Sequence, residues 1–301
     1  MPLIHDKRLA EAPPAFTVLR SFFARFDALQ ILPMLALLAA GVLFIYGTGQ
    51  QVGGVYAEFW QRQLVWIGLG LVLWLVLSLF DYHSYGIFAL ALYPVSLFLL
   101  VYVLFFGVKF YGARRWLDIA GVSVQPSEIA KLLTVILAAW LFTTERFRIT
   151  RWPSVGLMLL LTGIPGFLIF REPNLSTALT LVFGVFVVAF AAGLRLRVLL
   201  IGIIAIAVAA PIGYSMLRPY HKARIHVFLN PEADPLNKGW NQRQSELAVG
   251  SGGFSGKGFM QGTQNQLGYL PQTVSNSDFI FSVIAEETGF LGSALLMLAY
   301  T

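Results

Sequence analysis

The sequence of 301 residues contains no cysteine, and only 12% of its residues are charged. Without cysteine there can be no disulfide framework, no thiolate metal site and no cysteine nucleophile. Soluble globular domains carry about 25% charged residues. The low charge, together with 57% hydrophobic residues, therefore excludes an ordinary soluble domain and predicts a polytopic membrane protein. The net charge of +6 comes mostly from loop lysines and arginines, which orient helices, and we expect no nucleic-acid partner.

Long apolar runs follow one another along most of the chain, and a spanning helix needs about 20 such residues. We predict an all-α fold, a polytopic membrane helix bundle with eight spanning helices and one large extracytoplasmic loop. The predicted spans are 28–47, 62–80, 85–107, 127–143, 154–170, 175–193, 198–217 and 278–300. The chain then divides into an N-terminal segment (1–27), a seven-helix region (28–217), the large loop (218–277) and an eighth helix (278–301).

The N-terminal segment is polar and lacks the apolar core and cleavage site of a signal peptide, so we expect it to be retained. Short segments on its side of the membrane hold nine lysines and arginines, against five in the short segments opposite. The positive-inside rule then places the N-terminus in the cytoplasm and the large loop outside. The nine are Lys7, Arg8, Arg20, Arg25, Arg146, Arg148, Arg151, Arg195 and Arg197, and the five are Arg62, Lys109, Arg114, Arg115 and Arg171.

A polar stretch at 109–131 leads into the fourth predicted span. Pro126 suits the first helical position, so this helix is predicted to begin at Gln125 and Pro126. Glu128 then lies in the first turn, where the helix dipole favours an anion. Lys131 follows three residues later on the same face, and an ammonium at that depth needs a partner or a wet cavity. The two residues are therefore either a structural ion pair or part of a functional site.

The last predicted helix begins with an acid as well. Ser277 is predicted to cap this helix and Asp278 to lie in its first turn, which by itself describes an ordinary helix start. Glu286 and Glu287 lie about two turns deeper in apolar sequence. Carboxylates in such surroundings must be paired, protonated or facing a cavity.

The segment 250–262 contains six glycines. It is not a P-loop, because Ser251 stands where that motif requires its first glycine and Gly258 replaces the required Ser or Thr. A flexible loop is the simpler interpretation. A backbone that approaches an anionic head group is the alternative.

Several motifs in this order resemble the SEDS family (shape, elongation, division and sporulation). The sequence of residues 256–267 resembles the elongation branch of this family more than the division branch. The motifs are GARRWLD (112–118), QPSEIAK (125–131), EPNLST (172–177), NPEADPL (230–236), GSGGFSGKGFMQGTQNQL (250–267) and DFIFSVIAEETG (278–289).

The resemblance implies a peptidoglycan glycosyltransferase that polymerises lipid II at the outer face of the bacterial plasma membrane during cell-wall elongation and cell-shape maintenance. Its expected partners are a class B penicillin-binding protein (a transpeptidase), other membrane proteins of the elongation complex and membrane lipids. The family usually has ten spanning helices, whereas this chain ends at Thr301, inside the eighth. We therefore expect a truncated chain.

The family's functional residues can be placed on matching positions. The essential aspartate of its T-D-F-I-F motif corresponds to Asp278, the expected catalytic residue. Two departures are present: the family's H-T-D-F reads Asn276-Ser277-Asp278-Phe279, and its P-D-L-G-T has Asn174 in place of the acid. The residues expected to bind substrate or support the site are Arg115, Trp116, Gln125, Glu128, Lys131, Lys257 and Gln264.

The expected reaction needs a base for the attacking hydroxyl and positive charge for the departing pyrophosphate. Asp278 is our hypothesis for the base. Arg115, Lys131 or a divalent cation such as Mg²⁺ or Mn²⁺, bound through phosphate oxygens, could supply the positive charge. The alternative function is a flippase for the lipid-linked precursor, since Lys131, Glu286 and Glu287 within helices would serve transport equally well.

Overall fold

The structure is a computed structural model that describes residues 28–110, 113–119, 122–216, 222, 225–226, 238–271 and 275–301. The predicted N-terminal segment and the NPEADPL motif lie outside these residues. The described chain is mostly helical and forms two compact units. The first unit contains residues 28–73 together with the described residues from 222 onward, and the second contains residues 74–216.

Each of the eight predicted spans coincides with a helix. The helices are α1 (Ala28–Val52), α2 (Phe59–Ser78), α3 (Tyr82–Phe106), α4 (Pro126–Thr143), α5 (Trp152–Arg171), α6 (Leu175–Ala191), α7 (Leu196–Met216) and, after the predicted loop, α10 (Ile280–Ala299). Within the described residues, six helical segments are long and apolar enough to cross a membrane, and α6 and the apolar part of α7 are shorter.

The all-α prediction is wrong at one place, the polar stretch before α4. Three short antiparallel strands lie there in the order β1 (Val108–Phe110), β2 (Ala113–Ile119) and β3 (Val122–Val124). Leu117 pairs with Val124 in the register of β2 and β3. The sequence between successive strands is two residues long and contains a glycine each time, which is typical of hairpins.

The predicted large loop also contains helical structure, namely α8 (Lys238–Ser251) and the single turn α9 (Thr263–Gln266). Helix α8 packs on α10, where Ala248, Leu270 and Val283 are buried together and Phe279 packs against them. Ser245 and Ser282 join the same two helices through their hydroxyl oxygens, 2.6 Å apart. Part of the loop is therefore folded against the helix that follows it.

The second unit has an apolar core formed by α3, α4, α5 and α6. Leu100, Leu137 and Leu181 are fully buried at its centre. Helix α3 packs tightly on α4 at Gly86, where an added Cβ would lie 2.0 Å from Cγ of Trp140. This close contact fixes α3 against α4, the helix that carries Glu128 and Lys131.

Candidate functional site

In the first unit, a cluster of polar groups surrounds the carboxylate of Glu286 on α10. Glu286 is fully buried, and Nζ of Lys257 lies 2.6 Å from its Oε1. The hydroxyl of Thr263 and the backbone N–H of Gln264 donate to the same oxygen, each over 3.1 Å. Lys257 also donates to the hydroxyls of Ser251 (2.8 Å) and Thr263 (2.9 Å). The carboxylate predicted to need a partner therefore has several.

Glu287 is held in a similar way by the backbone of the glycine-rich segment. The N–H of Met260 donates to its Oε2 over 2.9 Å, and the N–H of Gly258 donates to its backbone carbonyl over the same distance. Gly256 has φ +80°, and a Cβ there would lie 2.2 Å from the carbonyl oxygen of Glu287. The flexible-loop interpretation is therefore wrong, because the glycines allow this segment to pack directly on α10.

Lys257 and Gln264, two of the predicted site residues, are brought together by this cluster. Lys257 uses its ammonium for Glu286, whereas Gln264 contributes its backbone N–H. The side-chain oxygen of Gln264 is buried and accepts no hydrogen bond in the described part of the chain. Both residues therefore hold the segment 252–266 against α10.

Asp278 lies in a turn just before α10, and its side chain is exposed. The predicted cap is wrong: α10 begins at Ile280, its N-cap residue is Phe279, and no side chain caps it. The N–H of Ile280 is satisfied by the backbone carbonyl of Ser277 (3.4 Å), because the preceding residues already form a turn. Among the described residues, Asp278 has no hydrogen-bond or ion-pair partner, so its carboxylate is free to meet a ligand.

A cleft of about 280 Å³ lies beside the turn that holds Asp278. Its walls come from α1, α2 and the residues that immediately precede Asp278. Arg62 lies over the ring of Phe59, 5.5 Å from its centroid, and no carboxylate in the described chain pairs with it. The lining residues are Ile45, Phe59, Arg62, Gln63, Trp66, Asn276 and Ser277. The cleft combines an apolar wall with an unpaired cation, which suits an anionic group attached to a lipid.

In the second unit, the predicted residues lie where the sheet leads into α4. Arg115 and Trp116 are half-buried on β2. The Arg115 guanidinium donates to the backbone carbonyls of Glu172 (3.0 Å) and Pro173 (2.5 Å), so it joins β2 to the turn between α5 and α6.

Helix α4 begins at Pro126 as predicted, with Gln125 as its N-cap residue. The side-chain amide of Gln125 donates to the hydroxyl of Ser127 over 2.9 Å. Glu128 and Lys131 form an ion pair, one of the two alternatives for these residues, with 2.6 Å between Oε2 and Nζ. The side chain of Glu128 is 50% exposed, so this pair is not the fully buried pair that its depth in the sequence suggested.

Two charged residues with unusual surroundings were missed by the sequence analysis. Arg62 had been counted only for membrane orientation; it is the one charged residue of the apolar helix α2, and that was the available signal. Glu172 lies inside a quoted motif, but only its full burial sets it apart from an ordinary helix-end acid. Within the described residues, no three histidines or acids lie close enough together to bind a metal ion.

The sequence profile of the FtsW, RodA and SpoVE family, described as a cell cycle protein, matches residues 23–301. A curated relative, the peptidoglycan glycosyltransferase MrdB of Escherichia coli strain K12, is 35% identical over 276 residues. The match covers 91% of this chain and 72% of that relative.

Two solved structures resemble the fold. One comes from work on the structural coordination of polymerization and crosslinking by a peptidoglycan synthase complex; its TM-score is 0.73 with 30% identity, over 92% of this chain and 75% of that chain. The other is the Rod shape determining protein RodA of Thermus thermophilus, with a TM-score of 0.61 and 28% identity over 92% of this chain and 72% of that chain.

Proposed function

Because the chain belongs to the family of FtsW, RodA and SpoVE cell cycle proteins, we propose that it is a peptidoglycan glycosyltransferase that polymerises lipid II for lateral wall elongation and cell shape. The observation that carries this conclusion is the family match over residues 23–301, together with a curated relative that bears this activity in its name. The six apolar helices make it a multi-pass membrane protein.

In the proposed reaction, the 4-hydroxyl of one lipid II attacks the anomeric carbon of a growing glycan, and undecaprenyl pyrophosphate leaves. A base must take the hydroxyl proton, and we assign this role to Asp278. Its exposed, unpartnered carboxylate supports the assignment, since a base must be within reach of a substrate hydroxyl.

The leaving pyrophosphate needs positive charge. Arg62 is a further source of positive charge, because it lines the cleft next to Asp278 without a carboxylate partner among the described residues. Pockets for drug-sized ligands have volumes of about 300–1,000 Å³, so a cleft of about 280 Å³ suits one part of lipid II, such as its diphosphate, rather than the whole molecule. Arg115 and Lys131 remain proposed substrate-binding residues, with Trp116, Gln125 and Glu128 around them. A divalent cation such as Mg²⁺ or Mn²⁺, bound through the phosphate oxygens, is a further proposed source of positive charge.

The flippase alternative relied on charged groups within helices. Glu286 and Glu287 are occupied by Lys257 and by backbone N–H groups, which leaves them little capacity to carry a substrate. The decisive experiment gives lipid II to the purified protein with a class B penicillin-binding protein, the proposed partner, and looks for glycan strands. Strands are expected; transport of lipid II between leaflets without any strand formation would favour the flippase instead.

We further propose that all eight apolar helices span the bacterial plasma membrane, with the N-terminus in the cytoplasm and the segment from 218 to 277 outside. The absence of cysteine gives a clean background for a test. Ser255 is exposed in the glycine-rich segment, and we expect Ser255→Cys to react with a membrane-impermeant thiol reagent in intact spheroplasts. Thr150→Cys, also exposed but predicted to be cytoplasmic, should react only after lysis. The reverse pattern would overturn the orientation.

A further inference from the structure

Glu172, at the end of α5, is a fully buried acid that the proposed mechanism does not use. Both of its carboxyl oxygens are buried and have no hydrogen-bond partner in the described structure. Its backbone is held in place, since its N–H donates to the carbonyls of Leu168 and Ile169. The carboxyl group is therefore buried without the hydrogen bonds that an ionised form requires.

The cation whose charge acts on this carboxyl is Arg115, but its guanidinium donates to the backbone carbonyls of Glu172 and Pro173 rather than to the carboxylate. Burial raises the pKa of Glu172 to about 8, although the positive charge of Arg115 lowers that pKa in part. At neutral pH the acid is therefore mainly uncharged and does not neutralise the positive charge of Arg115.

Other charged groups on the surrounding elements are engaged elsewhere. Arg114 donates to the backbone carbonyl of Phe105, Arg171 lies over the ring of Phe167, and Lys131 pairs with Glu128. Asp118, also on β2, is exposed and has an interaction of its own. Helix α6 contributes no charged residue. Arg115 is thus the charge that acts on Glu172, and the two residues form an electrostatic unit.

We propose that Glu172 is a positioning residue that acts through Arg115. Its backbone carbonyl orients the guanidinium, and its uncharged carboxyl leaves that guanidinium free to bind an anionic diphosphate on the lipid-linked substrate. When Glu172 ionises, its carboxylate competes with the diphosphate for Arg115. The proposal rests on the proposed function, which supplies the diphosphate ligand.

The sign of the pH effect follows from the chemistry of an acid, which is neutral below its pKa and anionic above it. If only the neutral form binds substrate well, the apparent KM scales inversely with the neutral fraction. With a pKa of about 8, that fraction falls from about nine-tenths at pH 7 to about one-tenth at pH 9. The KM for lipid II should therefore rise on the order of tenfold between these two pH values.

The test measures kcat and KM for lipid II between pH 6 and pH 9.5, with the full chain and its penicillin-binding partner. Glu172→Gln keeps the size of the side chain but cannot ionise, so its KM should stay level where that of the unmodified protein rises. Glu145→Gln is the matched control, because Glu145 is an exposed acid paired with Arg148. Glu145→Gln should show the same dependence of KM on pH as the unmodified protein. Identical KM profiles for the unmodified protein and Glu172→Gln would overturn the proposal.

A second measurement covers the case in which Glu172→Gln folds poorly. Infrared difference spectra of the unmodified protein, recorded across the same pH range, should show a protonated carboxyl band that disappears as pH rises through about 8. Loss of all such bands well below that pH would also refute the proposal. If the unmodified protein makes no glycan at any pH, the proposed function fails instead, and the spectra still report whether a buried acid loses its proton near pH 8.

Discussion

Asp278→Asn should abolish glycan polymerisation while leaving the protein folded. Loss of a general base typically lowers the rate by about 10²–10⁴. The asparagine keeps the size of the side chain but cannot accept the proton of the attacking hydroxyl. Asp278 is exposed, caps no helix and makes no hydrogen bond or ion pair within the described chain, so its replacement should cost little stability. The measurement is glycan formation from lipid II with the partner present.

Asp81→Asn provides the matched control. Asp81 is also exposed and caps α3 by accepting from the N–H of His83, and asparagine caps helices equally well. This variant should polymerise normally. Near-normal activity of a well-folded Asp278→Asn protein would remove Asp278 from the mechanism. Failure of that variant to fold would show that the residue is structural.

The helices were the most predictable part of the fold, because their signals are local. Each of the eight apolar runs became a helix, and Pro126 placed the start of α4 correctly. The sheet before α4 was missed although its hairpin glycines are visible in the sequence, since a polar stretch between two apolar runs was treated as a simple connection. Helix α8 was not predicted, because it has no strong apolar stripe. Burial of Ala248 against α10 stabilises this helix.

The site was less predictable, because its geometry depends on contacts between distant residues. Nothing in the sequence pairs Lys257 with Glu286, which lies 29 positions further along. The need of Glu286 for a partner could be predicted from its apolar surroundings, but the identity of that partner could not. Likewise, Asp278 was expected in the first helical turn, and only the turn formed by residues 275–279 moves it in front of the helix.

The Lys257–Glu286 ion pair should produce the largest stability effect in the chain. Removing one partner of a buried pair typically costs about 3–5 kcal/mol, because the other charge is left buried and uncompensated. The two single substitutions should lower the stability by different amounts, since the side chain of Glu286 is fully buried whereas that of Lys257 is 28% exposed. Lys257→Met leaves a buried carboxylate without its cation. Glu286→Gln leaves a lysine that can turn toward solvent, so it should be milder.

The double variant Lys257→Met with Glu286→Gln removes both charges and should recover much of the stability lost by Lys257→Met alone. Thermal unfolding in detergent measures the stability of the two single variants and of the double variant. The Glu128–Lys131 pair is the control, because it has the same 2.6 Å separation but a half-exposed carboxylate. Such a pair is worth about 0–1 kcal/mol, so its single variants should unfold near the unmodified protein. Additive losses at Lys257 and Glu286 would mean that the hydroxyl and N–H donors around Glu286, rather than the ammonium, hold the glycine-rich segment on α10.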